Sequence, residues 1–150
     1  MRRVLSFVFC LVLVFSMCVL EASAQTVFPK TEQTIEYLED GSYIVTEGDT
    51  STPAARSSGS KTKKSTYYSA SNKAIFAVSL TGSFTYTYGV SASATGASVS
   101  VSIYDNSASY VTKSATYSNA TAYGSGTVKY LGKNITLNVQ MTCDKYGNIT

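Results

Sequence analysis

Asn134-Ile135-Thr136-Leu137-Asn138-Val139-Gln140-Met141-Thr142-Cys143 alternates without a fault: each odd position is apolar and each even one polar. A period of two belongs to the β-strand, whose successive side chains leave opposite faces. The segment therefore predicts a strand with one buried and one wet face. Residues 74–88 repeat the pattern, with Phe76, Val78, Leu80, Gly82, Phe84, Tyr86 and Tyr88 on one side and mostly Ser and Thr on the other. Gly82 has no side chain to pack, so a bend or bulge is expected there. Residues 98–104 turn Val99, Val101 and Ile103 inward. Residues 121–131 put Ala122, Gly124, Gly126, Val128 and Tyr130 on one face, a surface that a neighbouring layer can approach closely. Residues 61–69 and 110–117 are weaker strands of the same kind.

Between these segments lie turn formers: Ser71-Asn72-Lys73, Asp105-Asn106-Ser107, Ser118-Asn119 and Gly132-Lys133. Further upstream, residues 34–38 and 42–46 flank Glu39-Asp40-Gly41, and Asp-Gly between β-prone runs is a strong hairpin signal. No helical period appears after Gln25, and Pro29 and Pro53 both fall outside the expected strands. Strands at short intervals, each half polar, give an all-β chain. The expected architecture is an antiparallel, immunoglobulin-like β-sandwich preceded by an N-terminal β-hairpin arm.

The chain begins with Arg2 and Arg3, an apolar run over residues 4–20, and Ala22-Ser23-Ala24 before Gln25. Those are the three parts of an export signal. The expected organisation is a signal peptide at 1–24, an arm with its hairpin at 25–47, a flexible linker at 48–60 rich in Ser, Thr and Gly, and the sandwich at 61–150. Removal of 24 of the 150 residues leaves a chain long enough for one domain and a modest core. No second apolar run offers the cleaved chain a membrane anchor, and the expected location is secreted and extracellular. Residues 25–50 hold Lys30 against Glu32, Glu36, Glu39, Asp40, Glu47 and Asp49, while residues 51–150 hold nine cations against Asp105 and Asp144. The plainer reading is two solvated surfaces; the sharper one is an acidic arm that meets a basic body. The cations are too dispersed for a nucleic-acid footprint.

The missing residues narrow the chemistry. Without His there is no catalytic triad and no imidazole ligand, and Cys143 is the one cysteine left after cleavage. It lies on the apolar face of its strand and reads as a small buried hydrophobe, with an intermolecular disulfide as the alternative. Asp105 and Asp144 sit beside turns and read as turn formers rather than as a glycosidase pair. No cofactor and no metal site is expected, and no enzyme. The positive signal is 12 Tyr with no Trp. Tyr86, Tyr88 and Tyr130 fall on inward faces. Tyr104 and Tyr123 fall among Ser and Thr on polar faces, where a flat ring with a hydroxyl suits contact with sugar or protein. These two are the candidate binding residues.

The succession Tyr37-Leu38-Glu39-Asp40-Gly41-Ser42-Tyr43-Ile44-Val45, a Lys/Thr-rich strand, Leu80-Thr81-Gly82-Ser83-Phe84-Thr85-Tyr86, a Ser/Ala-alternating strand, and Thr142-Cys143 with Gly147-Asn148 resembles a family. It is an uncharacterised family of short secreted proteins from Gram-positive, clostridia-type bacteria, a domain of unknown function. The resemblance implies a cysteine before the strand at 98–104 that pairs with the one at 143. Here that neighbourhood is Ser93-Ala94-Thr95, so the bridge is lost and its partner survives. It also implies Trp where this chain has Phe76. The family carries no known activity. The resulting expectation is a secreted, non-catalytic sandwich that binds at or outside the cell surface, with cell-wall glycan or an extracellular protein as partner. The alternatives are a membrane-active β-protein, an extracellular assembly subunit in which the acidic arm pairs with a neighbour's sheet edge, or an enzyme inhibitor.

Overall fold

The computed structural model describes residues 31–49 and 58–150, and the expected signal peptide and most of the expected linker lie outside them. Eight strands follow one another: β1 (Thr31–Tyr37), β2 (Tyr43–Asp49), β3 (Ser58–Tyr68), β4 (Ala74–Thr87), β5 (Ser91–Ile103), β6 (Ala108–Ser118), β7 (Thr121–Tyr130) and β8 (Lys133–Thr142). They form two antiparallel sheets, β1-β2-β3-β4-β5 and β6-β7-β8. The chain is all-β and the two sheets face each other as a sandwich. Every hydrogen-bonded neighbour within a sheet is also a neighbour in sequence, so the connectivity is a meander that changes sheet once, between β5 and β6.

The alternation seen in the sequence decides which side chains meet between the layers. Phe76, Val78, Leu80 and Phe84 of β4 are fully buried, as are Ala122 and Val128 of β7, and Leu137, Val139 and Met141 of β8, with Cys143 just beyond it, extend the same core. Each large apolar side chain so buried contributes about 1.5–3 kcal/mol. β7 can lie close to the first sheet because two of its inward positions are glycine. A β-carbon on Gly126 would come within 2.6 Å of Val78 Cγ2 and 2.8 Å of Val101 Cγ2. The expected irregularity near Gly82 is a register shift between Ser83 and Phe84 in the β4–β5 ladder.

Three sequence expectations are corrected in detail. The hairpin is no separate arm: β2 pairs with β3 from Tyr43↔Tyr68 to Gly48↔Lys63, so β1 and β2 are the outer strands of the first sheet. Both ends of the expected linker are strand, since β2 continues to Asp49 and Ser58 already pairs with Thr85. Tyr88 is not inward; β4 has ended at Thr87, a turn closes from Val90 N to Thr87 O at 2.9 Å, and the Tyr88 ring is 75% exposed.

The turns are set by local chemistry. In the first hairpin Gly41 holds φ +80, and Asp40 Oδ1 accepts from Ser42 N at 3.0 Å. In the β5–β6 link Asp105 Oδ1 accepts from Ser107 N at 2.7 Å, and Asp105 Oδ2 meets Lys73 Nζ at 2.7 Å. The turn-forming role read for Asp105 is the one it has. Lys73 beside it, then the Ser107 hydrogen bonds, hold its carboxyl well below the usual range. Asn72 and Asn119 take positive φ, which Asn tolerates; Leu131, φ 47, does so with no such excuse.

Candidate functional site

The three-stranded sheet turns one face to the core and the other to solvent. Pairing fixes what lies on the outer face: Tyr123 is opposite Gln140 and Thr116, and Ser125 is opposite Asn138 and Ser114. These six side chains rim a shallow depression of about 360 Å³ whose floor is Gly124 and Val139. Its lining holds one aromatic ring, two amides, three hydroxyls and no charged group.

Hydroxyls along the same two strands are already paired at either end. Thr121 bonds Thr142 at 3.0 Å, and Thr127 bonds Thr136 at 2.8 Å. Between these two rungs the side chains of Tyr123, Ser125, Asn138 and Gln140 have no hydrogen-bonding partner among the described residues. A primary amide offers two donors and an acceptor, and a hydroxyl offers one donor and an acceptor. The depression thus presents a dense, uncommitted set of neutral donors and acceptors beside a ring that is 41% exposed.

The outer face of the five-stranded sheet differs. Two of its hydroxyl pairs are bonded across strands, Ser60 to Ser83 at 2.8 Å and Thr62 to Thr81 at 2.9 Å. Its aromatic rings form a cross-strand ladder, with Tyr43 stacked on Tyr68 at 4.9 Å and Tyr37 leaning on Tyr43 at 5.7 Å. Lys64 sits beside this ladder, paired to Glu47 at 3.1 Å. Its pKa is raised, first by the hydrogen bond to Glu47, with smaller contributions from Glu47's charge and from the nearby Tyr104 and Tyr68.

Tyr104 belongs to this second surface. It follows the end of β5 and lies near enough to Lys64, on the outer side of the first sheet, to act on its charge. Tyr104 and Tyr123 therefore lie on opposite outer faces of the sandwich, and the structure does not bring the two candidate residues together. Asn138 and Gln140 were only polar half-beats of an alternating strand in the sequence. Their place beside Tyr123 follows from the β7–β8 register, which one-residue turn placement decides and periodicity does not.

Cys143 is 2% exposed and closes a bridge with Ile149. Burial pushes its thiol up, and the charge of Asp144 adds to that. Asp144 itself is held low by Asn148, whose side-chain amide donates to Oδ2 at 2.7 Å. The described residues contain no group of three acidic, His or Cys side chains placed to hold a metal ion. No described helix is long and apolar enough to cross a membrane.

No family model matches this chain. No curated protein matches it. Among solved structures, a crystal structure of a hypothetical protein from Listeria monocytogenes EGD-e is similar, at 14% identity over 81% of this chain and 92% of that one, with a TM-score of 0.44.

Proposed function

We propose that this protein is a secreted, non-catalytic β-sandwich that binds a neutral glycan chain at or outside the cell surface, through the outer face of β6-β7-β8. One observation carries the reading. The polar side chains around Tyr123 have no hydrogen-bonding partner among the described residues, while the hydroxyls above and below them on the same strands are paired. Sugars display hydroxyls that donate and accept together, and a C–H face that packs on an aromatic ring. Amides and hydroxyls beside a half-open tyrosine match both. The lining carries no charge, which favours a neutral sugar over an anionic one. The shallow form suits one side of an extended polymer rather than an engulfed small molecule. Export follows from the sequence features of residues 1–25, and it would place such a surface where polysaccharides are found.

The test is retention of the purified protein on immobilised cell-wall polysaccharide and on a glycan array. Tyr123→Ala should lower affinity about tenfold, the factor that corresponds to roughly 1.4 kcal/mol. Asn138→Ala should lower it by a similar or smaller factor, since a neutral hydrogen bond is worth about 0.5–1.5 kcal/mol. Tyr104→Ala, on the far side of the sandwich, should leave it unchanged. Retention on no glycan, or equal loss with Tyr104→Ala, would sink the proposal.

A further inference from the structure

The two sheets are offset sideways. β7 packs over β4 and β5, and β8 over β3 and β4, whereas β6 approaches the first sheet mainly at its last strand, β5. The first sheet therefore projects on one flank as a ledge of β1 and β2. The second projects on the other flank as an overhang of β6. The exposure pattern agrees. Tyr110, Lys113, Ala115 and Tyr117 pair with Val128, Gly126, Gly124 and Ala122, which are all core-facing, yet every one of the four is exposed. On the opposite flank Glu32, Thr34 and Glu36 of β1 lie in line with the inward residues of β3 and β4 and are exposed as well.

The two faces differ in charge along their outermost strands. Of the ledge, β1 carries Glu32 and Glu36, with Lys63 of β3 lying across Gly48 beside Glu32 and Ile149 and Thr150 bordering the same groove; the overhang carries Lys113 between two tyrosines. Neither the Lys64–Glu47 nor the Lys73–Asp105 ion pair involves Glu32, Glu36 or Lys113. β1, β5 and β6 are also sheet edges, a standing template for pairing with another chain, although at β5 the Ala94 N–H already donates to Asn119 O. A second copy displaced sideways sets its ledge beneath the β6 overhang of the first, and its β1 edge against β5. Each contact leaves the same two faces free at the ends of the pair, so the arrangement is heterologous and repeats.

We infer that copies of this chain associate side by side, with the acidic inner face of β1 in one copy seated against β6 of the next, Glu32 and Glu36 toward Lys113. The depression at Tyr123 lies on the other face of the second sheet and stays open in such a row. Repetition would raise avidity for a polymer, but the association itself does not depend on that reading.

Sedimentation of the purified protein across a range of concentrations tests the inference without any glycan. The average mass should rise with concentration at low salt and fall back as salt screens the contact. Lys113→Glu should weaken association about tenfold, and so should Glu32→Lys with Glu36→Lys. The triple variant carrying all three reversals should recover it. The substituted side chains are exposed, and an unchanged circular-dichroism spectrum separates a lost contact from a lost fold. A monomer at every concentration would overturn the inference. So would association that ignores the reversals, or a triple variant that fails to recover.

Discussion

Gly124 and Val99 occupy the same point between the sheets: a β-carbon on Gly124 would collide with Val99 Cγ2 and stand 3.1 Å from Leu80 Cδ1. The sandwich closes to this separation because β7 presents glycine where β4 and β5 present branched side chains. Gly124→Ala should destabilise the protein by about 1–3 kcal/mol, the usual cost of overpacking a dense interior. Val99→Ala on top of it should recover part of that loss. Chemical denaturation of the three variants measures both effects; an unaffected Gly124→Ala would mean the layers are not packed as described.

Leu131 offers the opposite opportunity. It is 75% exposed and holds φ 47 next to Gly132 at φ 79, the two positive angles of a two-residue hairpin turn. A left-handed conformation costs a residue such as leucine roughly 1–2 kcal/mol, and Asn-Gly is the favoured pair for such a turn. Leu131→Asn should therefore raise stability by about 1 kcal/mol, read as a higher denaturation midpoint with an unchanged slope.

Asp105 makes stability depend on acid. Its pKa is lowered in the folded protein, first by Lys73 and then by Ser107, and those of Asp40 and Asp144 are lowered by their own turn hydrogen bonds. A group lowered on folding stabilises above its unfolded value, about 3.9 for Asp, and loses that contribution as pH falls toward the folded value. The thermal midpoint should accordingly hold between pH 5 and 8 and drop below about pH 4. Asp105→Asn should lower the midpoint at neutral pH and shrink, without abolishing, the acid drop. A variant whose pH profile matches the parent's would show that the Lys73 pair is not formed.

The alternation in residues 134–143 and 74–88 was enough to read strands, faces and a two-layer architecture, because large apolar side chains every second residue leave little choice. It failed where contrast was low. The first half of β5 is Ser91-Ala92-Ser93-Ala94-Thr95-Gly96, and residues this small give no hydrophobic beat, yet Phe84 pairs with Ala94 and makes it strand. The outer role of β1 and β2 depended on β2 finding β3 across a segment of turn formers, a long-range pairing that local pattern does not encode. Tyr123 was legible as exposed; the amides beside it were not, since their meaning comes from neighbours across the register.

Cys143 gives a further check on the core and on the family resemblance. The backbone N–H groups of Ala94 and Cys143 donate to adjacent carbonyls, those of Asn119 and Ala120, and both side chains join the same core cluster. The native thiol should resist maleimide until the protein unfolds, since it is buried and its pKa raised. Ala94→Cys should form a bridge with it under oxidising conditions, read as loss of both thiols. Rapid labelling of Cys143 in the native protein would contradict the burial, and two persistent thiols in the variant would contradict the implied pairing.

Nuclear magnetic resonance titration of the labelled protein with a neutral oligosaccharide tests the functional account most directly. The account predicts saturable shifts confined to Ser114, Thr116, Tyr123, Ser125, Asn138 and Gln140 and their immediate neighbours on β6, β7 and β8. Shifts centred on Tyr104 and the Tyr37–Tyr43–Tyr68 ladder, or none with any neutral sugar, would contradict it.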